Sequence, residues 1–351
     1  MITRDDLRAA VGSGLISESQ AASLTSLADS RRGAREGLEP GDEPFELFKG
    51  FNEIFIVVGL VILAMGWVAV NTASMLTEIV NYKSQMTTAA LIGAAILWGI
   101  SEYFIRVRRM VAPAIALSVL FAANAATGFT AQFAQPFMIA QEDYASLPLA
   151  LTLSTLALLV YWWRFRVPFA MALIALGLFA VTMIIAADQS GVPTEIGDLF
   201  LLSANGPFAW ITLLVGLLVF AVAMAFDLSD PHRVTRRSAQ GFWLHVVAAP
   251  ALVNTIALTL IDSGQDVMLA LVLGVFALIA IVIDRRSFLI TAIGYIVALS
   301  TTVFDNEGTG LSILVLGIAL VALGAFWARI RAVLLSLLSP VLPLHRLPPS
   351  H

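Results

Sequence analysis

From Ile54 to Ala73 the chain carries no charged side chain. Twenty helical residues at about 1.5 Å rise reach roughly 30 Å, the thickness of a bilayer's hydrocarbon core. Further apolar runs of similar length follow, and the expected spans are about 54–73, 86–104, 111–135, 147–163, 168–187, 208–226, 241–261, 267–283, 288–304 and 311–328. Composition agrees: 59% of residues are hydrophobic, 13% are charged and mean hydropathy is +0.89. Soluble domains carry about 25% charged residues. The expected fold is therefore all-α, a polytopic membrane helix bundle of about ten transmembrane helices. Phe45, Phe48, Phe51 and Phe55 recur at helical spacing ahead of the first span and suit an interfacial turn leading into it.

The basic residues set an expected orientation. Arg106-Val107-Arg108-Arg109, Arg164-Phe165-Arg166 and Asp284-Arg285-Arg286 form tight connections, and Arg233, Arg236 and Arg237 sit in a longer one. With the N-terminus inside, all of the 20 Lys and Arg residues except Lys83 fall on the cytoplasmic side. Both termini are thus expected in the cytoplasm. The basic loops are short and lie against the bilayer, so the expected partners are anionic lipid headgroups rather than nucleic acid. The turns at Arg106–Leu117 and Arg164–Leu176 share a basic start, a proline and an Ala/Leu-rich continuation, and Asp284–Leu299 repeats the basic turn alone. These echoes favour stacked helical hairpins, while the span count also permits two inverted halves of five.

Ahead of the membrane domain, residues 1–32 read as a helical hairpin. Thr3 caps a first helix that carries Asp5 and Asp6 in its opening turn, and Gly12 and Gly14 end it. Ser17 starts a second helix, with Gln20 completing a capping box. The string Gly14-Leu15-Ile16-Ser17-Glu18-Ser19-Gln20-Ala21, followed by a linker and many spans, resembles a family of uncharacterised bacterial multi-pass predicted membrane proteins with an N-terminal cytoplasmic hairpin. That resemblance covers the hairpin and its join to the first span. It implies a bacterial inner (plasma) membrane location and brings no activity or catalytic residue. Residues 33–44 are rich in Gly, Pro and Glu and read as a flexible linker. The membrane domain is then 45–331. Residues 332–351 form a cytoplasmic interfacial tail, in which Pro340, Pro343, Pro348 and Pro349 prevent another span.

Little in the chain specifies chemistry. The chain has no cysteine, which excludes thiolate catalysis, cysteine metal sites and disulfides. Nucleophile elbows, phosphate-binding loops and zinc-protease signatures are absent, so no enzyme activity, cofactor or metal is expected. No cleavable signal peptide is expected either, because the first fifty residues lack an apolar core. No Asp, Glu, Lys or Arg is read deep within a span, which argues against proton-driven pumping. His245 is the one titratable side chain well inside a span, and the expectation for it is a hydrogen-bonded interfacial role.

One positive hint comes from the third span. Asn124, Thr127, Gly128, Ala131 and Gln135 fall on a single helical face, too polar to meet lipid. That face reads either as a packing seam or as the wall of a solute cavity. In the seventh span Pro250 should kink the helix near Asn254. Asn124 and Asn254 lie at one expected depth, so a direct pair, or a vestibule with Thr127 and Gln135, is the candidate intramembrane patch. Two functional readings follow. The first is a non-enzymatic membrane scaffold or regulator whose hairpin engages a protein partner. The second is a transporter or facilitator of a small neutral or zwitterionic solute, not proton-driven.

Overall fold

The computed structural model describes residues 10–17, 20, 24, 51–77, 81–136, 138–141, 143–193, 195–204, 206–230, 236–285, 314, 317, 318, 321–338 and 347. Among these residues eight helices are long and apolar enough to cross a membrane, and no strand forms. They are α1 (Phe51–Thr77), α2 (Tyr82–Ser101), α3 (Ala112–Phe133), α4 (Leu147–Phe165), α5 (Ala170–Ser190), α6 (Phe208–Leu228), α7 (Arg236–Asp262) and α8 (Asp266–Ile283). Each covers one of the first eight expected spans to within a few residues. The ninth expected span lies outside the described residues, and of the tenth only part is described.

The starts and stops have local causes. Pro113 and Pro148 stand in the first turns of α3 and α4, where the missing N–H costs nothing and the fixed φ suits a helix. α2 runs on through a wider π-helical turn, Glu102–Val107, before the chain reverses. Arg109, Arg166 and Asp284 have φ of 52°, 53° and 57°, and they are all of the non-glycine residues with positive φ among those described. Each stands in one of the three basic turns that echo one another in sequence. The left-handed conformation costs roughly 1–2 kcal/mol for such residues, so its recurrence at one place marks a shared turn design.

Two of those turns join packed pairs, α2 on α3 and α4 on α5; α6 also packs on α7, and the pairs join through α3 against α4 and through α5 against α6 and α7. α1 lies mainly on α3, and α8 lies on α7. Beyond α8, the helix α9 (Trp327–Leu338) starts after a break at Phe326 and docks on the end of α8. There Trp327 Nε1 donates to Asp284 Oδ1 at 2.7 Å, and Arg331 Nε donates to the Ile281 carbonyl at 3.2 Å. Burial lowers the Arg331 pKa from its usual value, and Asp284 opposes that shift.

Of the N-terminal hairpin, the described residues include its turn. Gly14 takes φ of 75°, and Ser17 and Gln20 exchange the two hydrogen bonds of a capping box at 2.9 and 3.2 Å. The rest of the hairpin, the linker and nearly all of residues 339–351 lie outside the described residues.

Candidate functional site

Three helices line a partly polar opening in the spans. A cavity of about 230 Å³ lies between α1, α2 and α3, in the half of the bundle away from the basic turns. Trp67, Asn71 and Thr72 reach it from α1, Gly93 from α2, and Asn124 and Thr127 from α3. The wall of α2 is made of small residues there, Ala89, Ala90 and Gly93, so α1 and α3 face it without filling the space. No Asp, Glu, Lys, Arg or His is among the lining residues. Toward the basic end it stops at Leu60 and Leu97, both buried. Below them the Trp98, Phe121, Tyr161 and Phe165 rings interlock at centroid separations of 4.6–6.2 Å. The Tyr161 hydroxyl and Ser101 Oγ meet at 2.8 Å within that plug.

Polar groups along the cavity are held by helix backbone. Asn124 Nδ2 donates across to the Ala90 carbonyl of α2 at 2.8 Å. Thr127 Oγ1 donates to Ala123 O and Asn71 Nδ2 to Trp67 O, each one turn back on its own helix. At Gly128 the two helices come so close that a methyl group would fall 2.6 Å from Ala90 Cβ. The Asn124 face of α3 therefore serves as a seam against α2 and also as a cavity wall.

At the basic end α1 is pinned. Glu53, buried, accepts the backbone N–H of Val111 at 3.3 Å and of Ala112 at 2.9 Å. A carboxylate at the start of α3 satisfies donors that have no partner within the helix and meets the positive end of its dipole.

A second polar cluster sits where α6, α7 and α8 converge. Asp227 accepts from Arg285 Nε at 3.0 Å and from its Nη2 through the other carboxylate oxygen, while His245 Nε2 lies 2.9 Å from Asp227 Oδ2. Arg285 Nη2 also donates to Ser238 O at 2.9 Å. Asp227, His245 and Arg285 are all buried, and the carboxylate and guanidinium balance one another. Glu53 and Asp227 stand in the end turns of span helices, just outside the expected spans 54–73 and 208–226, where a neighbouring element supplies each with a partner. His245 is hydrogen-bonded, as expected. A signal was present in the sequence, because Ser238, Gly241 and His245 fall at i, i+3 and i+7 on one face. Gly241 leaves room for Asp227, whose carboxylate would collide with a methyl group there.

Of the sequence-derived candidates, Asn124 and Thr127 line the cavity together. Gln135 lies beyond the end of α3, where its backbone N–H donates to Ser146 Oγ, and it is not among the lining residues. Asn254 sits on α7, which packs against α5, α6 and α8. Asn124 takes Ala90 as its partner, so the two asparagines do not form the expected pair. Trp67, Asn71 and Gly93 were not foreseen; Trp67 and Asn71 stand one turn apart on α1, but no sequence spacing links them to Gly93 on α2.

Comparison with known proteins gives one match. Residues 32–136 match the model of the Ammonium Transporter Family, a multi-pass membrane family. No curated protein and no solved structure matches the chain. The matched segment takes in α1, α2 and α3. The chain is thus a multi-pass helical membrane protein, part of which is similar to a transporter family.

Proposed function

We propose that the chain is a membrane transporter or passive facilitator of a small neutral solute, taken up in the cavity between α1, α2 and α3. One observation carries this reading: every residue lining that cavity falls within 32–136, the segment similar to the Ammonium Transporter Family. Ammonia is the first solute to test on that ground. The absence of a titratable group from the lining favours a solute that needs no counter-charge, and it argues against proton coupling at this site. The scaffold reading has no similar family behind it, whereas the transport reading does.

The orientation belongs to the same reading. The basic turns face the cytoplasm of a bacterial inner membrane, where the exposed Arg106, Arg108, Arg109 and Arg166 meet anionic headgroups. On that reading the cavity lies in the outer half of the bundle. Reconstitution of the full chain in liposomes loaded with a pH-sensitive dye tests the function. After an ammonium chloride pulse at alkaline pH, entry of neutral ammonia raises the internal pH. The expected result is faster alkalinisation than in protein-free vesicles. Equal rates for ammonia, together with equal rates for urea measured by light scattering, would overturn the proposal.

A further inference from the structure

α2 and α4 are bridged at the basic end, where Ser101 Oγ lies 2.8 Å from the Tyr161 hydroxyl and Arg164 Nη2 pairs with Glu102 Oε1 at 2.7 Å. Toward the opposite end a groove of about 340 Å³ runs over α3 between them, walled by Leu91 and Ala94 of α2 and by Ala157 of α4. Its floor is Phe121, Ala125 and Phe129, and Leu91 and Phe133 on its rim are exposed, so it opens to the side of the bundle. Ala90 and Asn124 line both this groove and the cavity between α1, α2 and α3, and their hydrogen bond is the partition between the two. The other polar residues of the groove, Thr87 and Gln132, stand at its far end. There Thr87 Oγ1 donates to Gln132 Oε1 at 3.2 Å, which leaves the Gln132 NH2 as a donor. One turn before Thr87, on the same face of α2, stands the exposed Lys83, whose carbonyl accepts from Thr87 Oγ1 at 2.9 Å. It is the one basic residue that the expected topology puts at this end.

We propose that this groove is a phospholipid site, with one acyl chain laid over Phe121, Ala125 and Phe129 and the phosphate held by Lys83 and Gln132. The depth fits: α3 rises about 16 Å from Phe121 to Gln132, one leaflet of a hydrocarbon core roughly 30 Å thick. The chemistry fits as well, since the walls are apolar along that depth and the donors gather at the level of the headgroups. A lysine there lays its stem along apolar surface and keeps its ammonium in the polar layer. Lys83 also stands in the first turn of α2, which holds no acidic residue, so the positive end of the helix dipole adds to the pull on a phosphate. A helix of a second copy, about 10 Å across, would rest on the rim and leave the floor uncovered. A free phosphate would use the mouth alone. The site is separate from the cavity and does not rest on the transport reading.

Full-length wild type and the Lys83→Gln, Lys83→Arg and Ala157→Phe variants are delipidated in detergent and titrated with dioleoylphosphatidylglycerol, the bound lipid being counted by native mass spectrometry. Glycerol phosphate serves as the chain-free competitor. Wild type is expected to take one lipid well ahead of the rest, and glycerol phosphate is expected not to displace it. Lys83→Gln should weaken that first binding about two- to tenfold, and Lys83→Arg should restore it. Ala157→Phe fills the groove from α4 and should weaken it about tenfold or more. Lys83 is exposed, so its variants read binding rather than folding, and they decide the matter if Ala157→Phe lowers the unfolding midpoint. First-lipid affinity unchanged in Lys83→Gln would overturn the phosphate contact, and affinity unchanged in a folded Ala157→Phe would overturn the acyl-chain groove. Displacement of the lipid by glycerol phosphate would overturn the site by reducing it to an anion contact. A wild-type dimer that Ala157→Phe splits, with lipid binding unaltered, would overturn it by giving the groove to a second copy.

Discussion

The α1–α3 end of the chain and the α6–α8 end use the same vocabulary of glycine, alanine and buried polar groups, to opposite effect. In α6–α8, Gly241 faces the Asp227 carboxylate, and Gly216 lies so near α7 that a methyl group would fall 3.0 Å from Ala251 Cβ. The space beside each small residue is filled, and Asp227 spends both carboxylate oxygens on Arg285 and His245. In α1–α3, Gly93 likewise meets the tip of Asn124, but the wider space between the three helices stays open as the cavity. A small residue therefore closes a seam or opens a cavity according to what the opposite helix presents. The first arrangement is a dry joint, and the second is the one a solute could enter.

The contrast is broken most severely at Arg285. Arg285→Ala leaves the Asp227 carboxylate buried without its counter-charge, which costs about 3–5 kcal/mol. Thermal unfolding in detergent should show a large fall in midpoint, and the Asp227→Ala, Arg285→Ala double variant should recover much of it. Strictly additive losses would show that the joint is not a coupled pair. A smaller loss is expected at Glu53, where Glu53→Ala uncaps α3 and releases the basic end of α1 at a cost of about 1–3 kcal/mol. Unfolding midpoints again measure it, and an unchanged midpoint would contradict the tether. The smallest loss is at Asn124. Asn124→Leu removes one interhelical bond, about 0.5–2 kcal/mol, and combining it with Asn254→Leu should add the two effects within about 0.5 kcal/mol. A larger coupling would place the asparagines together after all.

Sequence alone carried the architecture further than the site. Eight span positions were legible because twenty-residue apolar runs leave a helix as the local solution. The likeness of the turns at Arg106–Leu117 and Arg164–Leu176 was legible, and the left-handed conformation shared by Arg109 and Arg166 accompanies it. The polar face of α3 was legible from spacing, and Asn124 and Thr127 do line the cavity. What it failed to carry is long-range pairing. Depth along a helix put Asn124 beside Asn254, but adjacency depends on which hairpins touch, and α3 packs on α2 rather than on α7 for its amide bond. Asp227 and Arg285, 58 positions apart, were read as loop charges because nothing local announces a buried pair. Ser238 is buried against Arg285, so the exposed Arg236 is the better position for mapping that side.

The contrast between an open and a dry end is tested most directly at two matched threonines. Thr127 and Thr255 each donate to the carbonyl one turn back, Ala123 O and Ala251 O, so replacing either disturbs its helix in the same way. Thr127 lines the cavity, while Thr255 is fully buried in α7. Because the chain has no cysteine of its own, Thr127→Cys and Thr255→Cys each give a single thiol. A water-soluble methanethiosulfonate reagent attacks only a thiolate that water reaches. The account expects Thr127→Cys to react readily in sealed proteoliposomes and Thr255→Cys to stay unmodified until the protein is denatured. Protection of both thiols, or equal reaction of both, would contradict it.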